Sequence, residues 1–483
     1  MPEFVWTPTP EQVEQANVTR LIRRLDCADY HELQRLSVQD PARFWPEVVD
    51  DLGIEFSQPW EHVLDTSRGI EWTTWFVGGR LNVAWNCVHK WARGERADDE
   101  AAVFLGEDGV RASLTWAQVS RAVTKLAEAL VAAGIEPGDR VGIFMPMSPA
   151  AAIASHACAH VGAVQVPIFS GFAPAAIAAR LRDAEAKAVL AANWSLRRGK
   201  RIDMAGILEE AVGEAPSVEQ VFTWDRATGD WSEAVRAHPA TLAPLEVDSE
   251  HPYLLAYTSG TTGKPKGAVH VHGGFLVSIA REAAYQTNID AGDHVLFATD
   301  MGWIMGPWTV VGAGVVGAKI VFTEGAPDWP DDRIWRTVES ERVTMLGVSP
   351  TLVRALIPNG EPEADMSSLH AIATTGEPWN RGPYLWLHEH VASQAHAPIV
   401  NLSGGTEVGA CFLSVTPVLP TKPVSLGFPA LGEDMSALGS PFGMSARTSV
   451  GETPSIVTRS DSTVRQIRSS GQSGAPSVNT ILA

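Results

Sequence analysis

The chain has 483 residues, 45% of them hydrophobic, with 37 basic against 56 acidic side chains and a formal net charge of −19. That length supports several packed subdomains, and the acidic balance excludes a general attraction to nucleic acid or anionic lipid, so a polyanion would need a local site. No apolar run reaches membrane-spanning length, no basic-then-apolar export signal opens the chain, and Cys27, Cys87, Cys158 and Cys411 are too scattered for a disulfide framework or zinc cluster; a cytoplasmic protein is expected.

The first ninety or so residues carry Trp6, Trp45, Trp60, Trp72, Trp75 and Trp85 among short helical patches, prolines and glycines. This is the composition of an arm laid over a larger body, its rings expected to pack. From Leu114 the pattern becomes regular. Val119, Val123, Leu126 and Leu130 fall at helical spacing, Gly134 is placed to end that helix, Pro137-Gly138-Asp139 turns the chain, and 141–145 reads as a buried strand. Apolar strand candidates recur at 294–299, 318–323, 343–348, 370–374 and 398–402, separated in part by helical stretches. The alternation predicts an α/β fold of helix-flanked sheets. Several strands run into small or polar residues at Asp300-Met301-Gly302, Ser349-Pro350, Thr375-Gly376-Glu377-Pro378 and Ser403-Gly404-Gly405-Thr406-Glu407, the carboxyl-end loops where such folds place ligands. After Met435 the chain changes in kind, with eleven serines in 48 residues and no Lys, Trp or Tyr. The segment 436–483 is therefore read as an aberrant tail, a shifted reading frame in preference to a natural disordered segment.

The densest local signal follows an apolar stretch at 253–256. In Tyr257, Thr258, Ser259, Gly260, Thr261, Thr262, Gly263, Lys264, Pro265, Lys266 and Gly267, glycines let backbone N–H groups converge on an anion, hydroxyls add donors and lysines add charge, a composition suited to a polyphosphate. A P-loop would need Ser or Thr after Gly263-Lys264, and Pro265 stands there instead. The segment reads as a cover over phosphates, not as a loop feeding a helix N-terminus.

That segment resembles the phosphate-binding signature of adenylate-forming enzymes, and two further motifs of the family follow in order. By resemblance Gly376, Glu377 and Pro378 line the adenine and ribose, while in Gly405-Thr406-Glu407 the threonine meets the α-phosphate and the glutamate serves Mg²⁺. The resemblance implies ATP bound by Thr258, Ser259, Gly260, Thr261, Thr262, Gly263, Lys264, Gly376, Glu377, Pro378 and Thr406. Thr258, Lys264, Thr406 and Glu407 carry the catalysis, and Glu407 is the metal ligand.

Phe44-Trp45, Trp60 and the run from Trp75 through Phe76, Val77, Gly78, Gly79, Arg80 and Leu81 to Asn82 resemble the N-terminal arm of acetyl- and propionyl-CoA synthetases. The implied division is an arm at 1–95, an adenylation domain at 96–435 and the tail. In that branch Arg197 and Lys200, with Arg201 beside them, fall where the phosphates of coenzyme A are held, and Trp303, Ile304, Met305, Thr375 and Gly404 fall at the acyl pocket. Acetate-specific members carry tryptophan where Gly404 stands, so a carboxylate longer than acetate is expected, with acetoacetate among the candidates. His156-Ala157-Cys158-Ala159-His160 has the spacing of a metal cluster but lies in an Ala-rich helical stretch and is read as packing, and His270 and His272 are read as structural.

The implied reaction is AMP-forming acyl-CoA synthesis: a carboxylate attacks the α-phosphate of ATP, and the coenzyme A thiol then displaces AMP. Family members also carry an aromatic-Arg-Thr-Gly-Asp segment and a small C-terminal domain with a catalytic lysine, neither matched after Met435, so an impaired ligase is expected. The competing class is a non-catalytic nucleotide or acyl-binding relative; peptide-synthetase-type adenylation is disfavoured by the arm.

Overall fold

Thr115 accepts a hydrogen bond from the Gln118 backbone while the Gln118 side chain accepts from the Thr115 N–H, and this reciprocal box opens the helix Trp116–Ala132. Val123, Leu126 and Leu130 are fully buried along one face. The helix ends where Gly134 turns left-handed, letting Ile135 N–H return to the Leu130 carbonyl. The chain then enters the strand Arg140–Phe144, one residue ahead of the expected 141–145. The computed structural model describes residues 4–69, 72–258 and 265–433.

Two large sheets carry the body. The first has seven strands in the spatial order Asp230–Trp231, Gln220–Asp225, Ala188–Ala192, Arg140–Phe144, Val164–Pro167, Pro252–Thr258 and Lys266–Val271. Its five central strands are parallel and its edges antiparallel. The second has nine strands in the order Phe428–Pro429, Ala410–Ser414, Ile399–Gly405, Ala371–Thr374, Met345–Val348, His294–Phe297, Lys319–Thr323, Glu100–Leu105 and Arg111–Thr115. All five later strand candidates of the sequence lie in this second sheet and run parallel within it.

Between the sheets lie helices that are buried on every side and mostly apolar. All twelve residues of Pro149–His160 are buried, and the helix packs on Arg140–Phe144 and Val164–Pro167 of one sheet and on Glu100–Leu105 of the other. The wholly buried His272–Arg281 follows Lys266–Val271 and packs on Met305–Val316, which in turn packs on His294–Phe297 and Lys319–Thr323. The arm closes over this core. Trp6, Trp45 and Trp75 are buried and Trp60 and Trp85 half-buried, whereas Trp72 is exposed beside the Arg68 guanidinium. Asn82 clamps the arm, its Nδ2 donating to Ala159 O at 2.7 Å and Leu245 O at 2.8 Å.

The histidines of the buried helix act within the fold. His89 Nδ1 meets Ser120 Oγ at 2.8 Å, His89 Nε2 meets His160 Nδ1 at 3.0 Å, and His160 Nε2 meets Leu242 O at 3.1 Å. Burial, joined by the neighbouring His160, pushes His89 down to about 3; burial alone takes His156 to about 4 and, against backbone hydrogen bonds, His160 to about 4. These rings fold neutral, while the unfolded chain takes up protons near the ordinary histidine pKa of about 6.5. Stability is therefore complete above that value and is lost as pH falls toward 4. The thermal midpoint should drop steadily between about pH 7 and pH 5, and a flat midpoint there would contradict the assignment.

Candidate functional site

Loops from the strand ends of both sheets meet. Ser170, after Val164–Pro167, donates through its N–H and its hydroxyl to the Asp300 carboxylate, after His294–Phe297. Burial pushes Asp300 up, against the Ser170 bonds, the Gly302 N–H and the nearby Arg197 charge. Phe169 packs on Trp303 with ring centroids 5.7 Å apart, yet Trp303 remains 62% exposed. Ile304 and Met305 are half-buried at the start of the next helix.

Thr258 ends its strand half-buried, and its register partner is Lys266, so the signature segment spans from one antiparallel strand to the next. Ser259, Gly260, Thr261, Thr262, Gly263 and Lys264 lie outside the described residues.

The loop after Ala371–Thr374 is held from below. Thr374 donates to Asn401 Oδ1 at 3.1 Å and accepts from Trp379 Nε1 at 3.0 Å, and Asn401 donates onward to Ser425 O. Gly376 and Pro378 are exposed and Thr375 half-buried. Glu377 accepts from Thr351 N–H at 2.7 Å and from Arg354 at 2.6 Å. Burial pushes this carboxyl up, but the Thr351 and Arg354 bonds outweigh it and hold it below the ordinary range. Ser349-Pro350 is legible in the sequence as a strand-end loop, whereas nothing local marks Thr351 and Arg354, which fix the glutamate.

The strand Ile399–Gly405 ends in the third loop. The buried His270 donates from Nε2 to Thr406 O at 2.8 Å, tying this loop to the first sheet. His270 was expected to be structural, and the bond gives that structure a purpose: it locates Thr406 and Glu407. Glu407 is half-buried and makes no ion pair with a described residue. No cluster of three or more His, Cys, Asp or Glu able to hold a metal occurs among the described residues. Mg²⁺ is commonly held by one or two carboxylates with its remaining ligands from phosphate and water, and Glu407, a carboxylate with no ion pair to a described residue, fits that donor set.

Gly404 is exposed at an irregularity in the Ile399–Gly405 and Ala410–Ser414 pairing. A Cβ there would overlap the Ala410 carbonyl and come 2.8 Å from Cys411 Cα, both backbone. Gly404→Ala should therefore cost about 1–3 kcal/mol in a denaturation experiment, and a stability equal to wild type would show that the bulge relaxes. A tryptophan at 404 accordingly requires backbone movement.

Arg197 and Lys200 lie opposite each other on the hairpin Ser195–Arg197 and Lys200–Ile202, both exposed and without an ion pair to a described residue. Arg201, pointing to the other face, stacks over Trp194 at 4.5 Å, which separates it from that pair.

The family model described as "AMP-binding enzyme" matches residues 88–465. The chain belongs to the AMP-binding enzyme family. Residues 30–87 match "Acetyl-coenzyme A synthetase N-terminus", which sets this AMP-binding enzyme in the acetyl-CoA synthetase-like branch. It is 36% identical over 411 residues to the acetyl-coenzyme A synthetase of Chlorobaculum tepidum, covering 82% of this chain and 62% of that protein. It is 34% identical to acetyl-coenzyme A synthetase 2 of Pseudomonas aeruginosa, covering 88% and 67%. The fold matches the acetoacetyl-CoA synthetase of Streptomyces lividans with a TM-score of 0.83 at 31% identity, over 90% of this chain and 69% of that one. The chain thus spans under two thirds of the length of the first curated relatives it matches, at 62%, 65% and 64%.

Proposed function

We propose that this chain is the ATP-activating part of an AMP-forming acyl-CoA synthetase acting on a short- to medium-chain carboxylate in the cytoplasm. The observation that carries the reading is the convergence of the Glu377 and Thr406-Glu407 loops at the carboxyl ends of adjacent parallel strands, tied together beneath by Thr374 and Asn401. ATP would lie along these loops, with residues 258–264 over its phosphates. Bound Mg²⁺, held by Glu407, would neutralise the triphosphate. Thr406, located by His270, is the donor offered to the α-phosphate, where charge grows as the carboxylate attacks. Positioning supplies most of the rate, and no covalent protein nucleophile is needed.

The acyl group is read as longer than acetate. Gly404 offers no side chain where the acetate branch has an indole, and the Ala410 carbonyl stands against any Cβ there. The fold match to an acetoacetyl-CoA synthetase makes acetoacetate the particular alternative within this class. Arg197 and Lys200 would receive coenzyme A.

The test is ATP–pyrophosphate exchange on the purified chain across acetate, propionate, butyrate, hexanoate, octanoate and acetoacetate. Exchange that favours a carboxylate other than acetate supports both the reaction and the pocket. ATP binding with no exchange for any of them, persisting after a relative's C-terminal domain is fused on, would favour a non-catalytic nucleotide-binding relative.

A further inference from the structure

The hairpin bearing Arg197 and Lys200 is anchored by a carboxylate from a distant part of the chain. Glu107 lies in the turn between Glu100–Leu105 and Arg111–Thr115, its side chain 1% exposed. Its Oε1 accepts from Arg198 N–H at 3.1 Å and Ala326 N–H at 2.7 Å, its Oε2 accepts from Gly199 N–H at 3.0 Å, and Arg333 lies 3.7 Å away. Arg198 and Gly199 are the two turn residues, both left-handed with φ of 52° and 70°, the geometry of a tight two-residue hairpin. A side chain at 199 is disfavoured, because φ is left-handed there and a Cβ would come 3.0 Å from the Trp329 ring, which would have to shift. One residue upstream of Arg197, Leu196 N–H donates to Glu324 at 3.1 Å, and Glu324 is fully buried.

These contacts sort the four cations. The Arg198 side chain is engaged by Asp328 at 2.6 Å and Arg201 by Trp194, leaving Arg197 and Lys200 facing solvent across the ladder. Like charges directly opposite each other disfavour a hairpin, so the pair needs an external anchor to stay in register. A carboxylate beside a phosphate site would ordinarily repel the ligand. Here three N–H groups and a guanidinium already engage the Glu107 carboxylate, which offsets its charge.

We propose that Glu107 is the positioning residue of an anion-binding hairpin: by gripping the Arg198-Gly199 turn it holds Arg197 and Lys200 at the separation that a phosphate of a coenzyme A-type nucleotide bridges. This rests on the reading of the two cations as the coenzyme A phosphate site.

The experiment titrates adenosine 3′,5′-bisphosphate into the full chain with saturating AMP present to fill the ATP site, and follows amide hydrogen exchange over 195–202. Glu107→Gln keeps the shape but presents an amide to N–H donors; it should weaken bisphosphate binding about ten-fold and accelerate exchange in the hairpin. In an Arg197→Ala, Lys200→Ala background the same change should weaken binding by less than about two-fold, because the residue acts through those cations. Glu107→Asp, with the charge kept and the reach shortened, should give a smaller effect in the same direction and serves if the amide variant fails to fold. Unchanged binding by Glu107→Gln, or an equal loss in both backgrounds, would overturn the positioning role. Wild-type binding no tighter than that of the Arg197→Ala, Lys200→Ala variant would instead overturn the phosphate-site reading on which it stands.

Discussion

Glu407→Gln is expected to lower carboxylate-dependent pyrophosphate exchange by roughly 10²–10³-fold while leaving the unfolding midpoint unchanged. The two halves of this expectation come from the same geometry. Glu407 is half-buried, lies next to a threonine located by a buried histidine, and has no ion pair with a described residue, so its replacement breaks no ion pair among the described residues. Substitutions of that kind usually change stability by less than about 0.5 kcal/mol. If its charge serves a phosphate-bound Mg²⁺, the effect should also appear in binding alone. The wild-type chain should bind ATP more tightly with Mg²⁺ than without, and in Glu407→Gln the two affinities should converge. An unaltered Mg²⁺ dependence would remove Glu407 from the metal site, whatever happened to exchange.

Arg226→Met should be strongly destabilising, costing about 3–5 kcal/mol. Arg226 donates to Glu324 at 2.9 and 2.7 Å and to Asp108 at 2.9 Å, with its side chain 3% exposed and that of Glu324 fully buried. Removing the guanidinium leaves the buried Glu324 carboxyl with the Leu196 N–H as the one remaining hydrogen-bond donor to its side chain among the described residues. Asp108 is part-exposed and can turn to water. Arg226→Met combined with Glu324→Leu removes both charges and should recover much of the loss in denaturant titrations, because an apolar pair does not bear the desolvation cost. If the double variant is as unstable as the single one, packing of Arg226 against Phe104 and Trp194 matters more than the charge balance.

The strands were legible because parallel strands buried on both faces read as short apolar runs. The candidates at 318–323 and 343–348 correspond to Lys319–Thr323 and Met345–Val348, with ends differing by one or two residues. The loop motifs were legible for a related reason: glycines, a proline and acidic residues directly after an apolar run mark a strand end at which the backbone must turn and polar atoms collect. The tryptophans of the arm pack as expected, except Trp72, and nothing in local composition separates Trp72 from Trp75.

What remained hidden were contacts between residues far apart in the chain. The 91-residue separation of Glu107 and Arg198, and the 136 of His270 and Thr406, leave no periodicity for a sequence pattern to report. Nor could composition tell which members of a basic cluster are available; that depends on Asp328 and Trp194, brought in by other strands. By itself the sequence determined the alternating elements and the order of the strand-end motifs, because propensity, hydrophobic period and turn chemistry are local. Only the tertiary structure decided which sheet each strand joined, which carboxylate was gripped and which was free, and which cations faced outward, because those outcomes are set by burial and by partners that folding alone brings within hydrogen-bond reach.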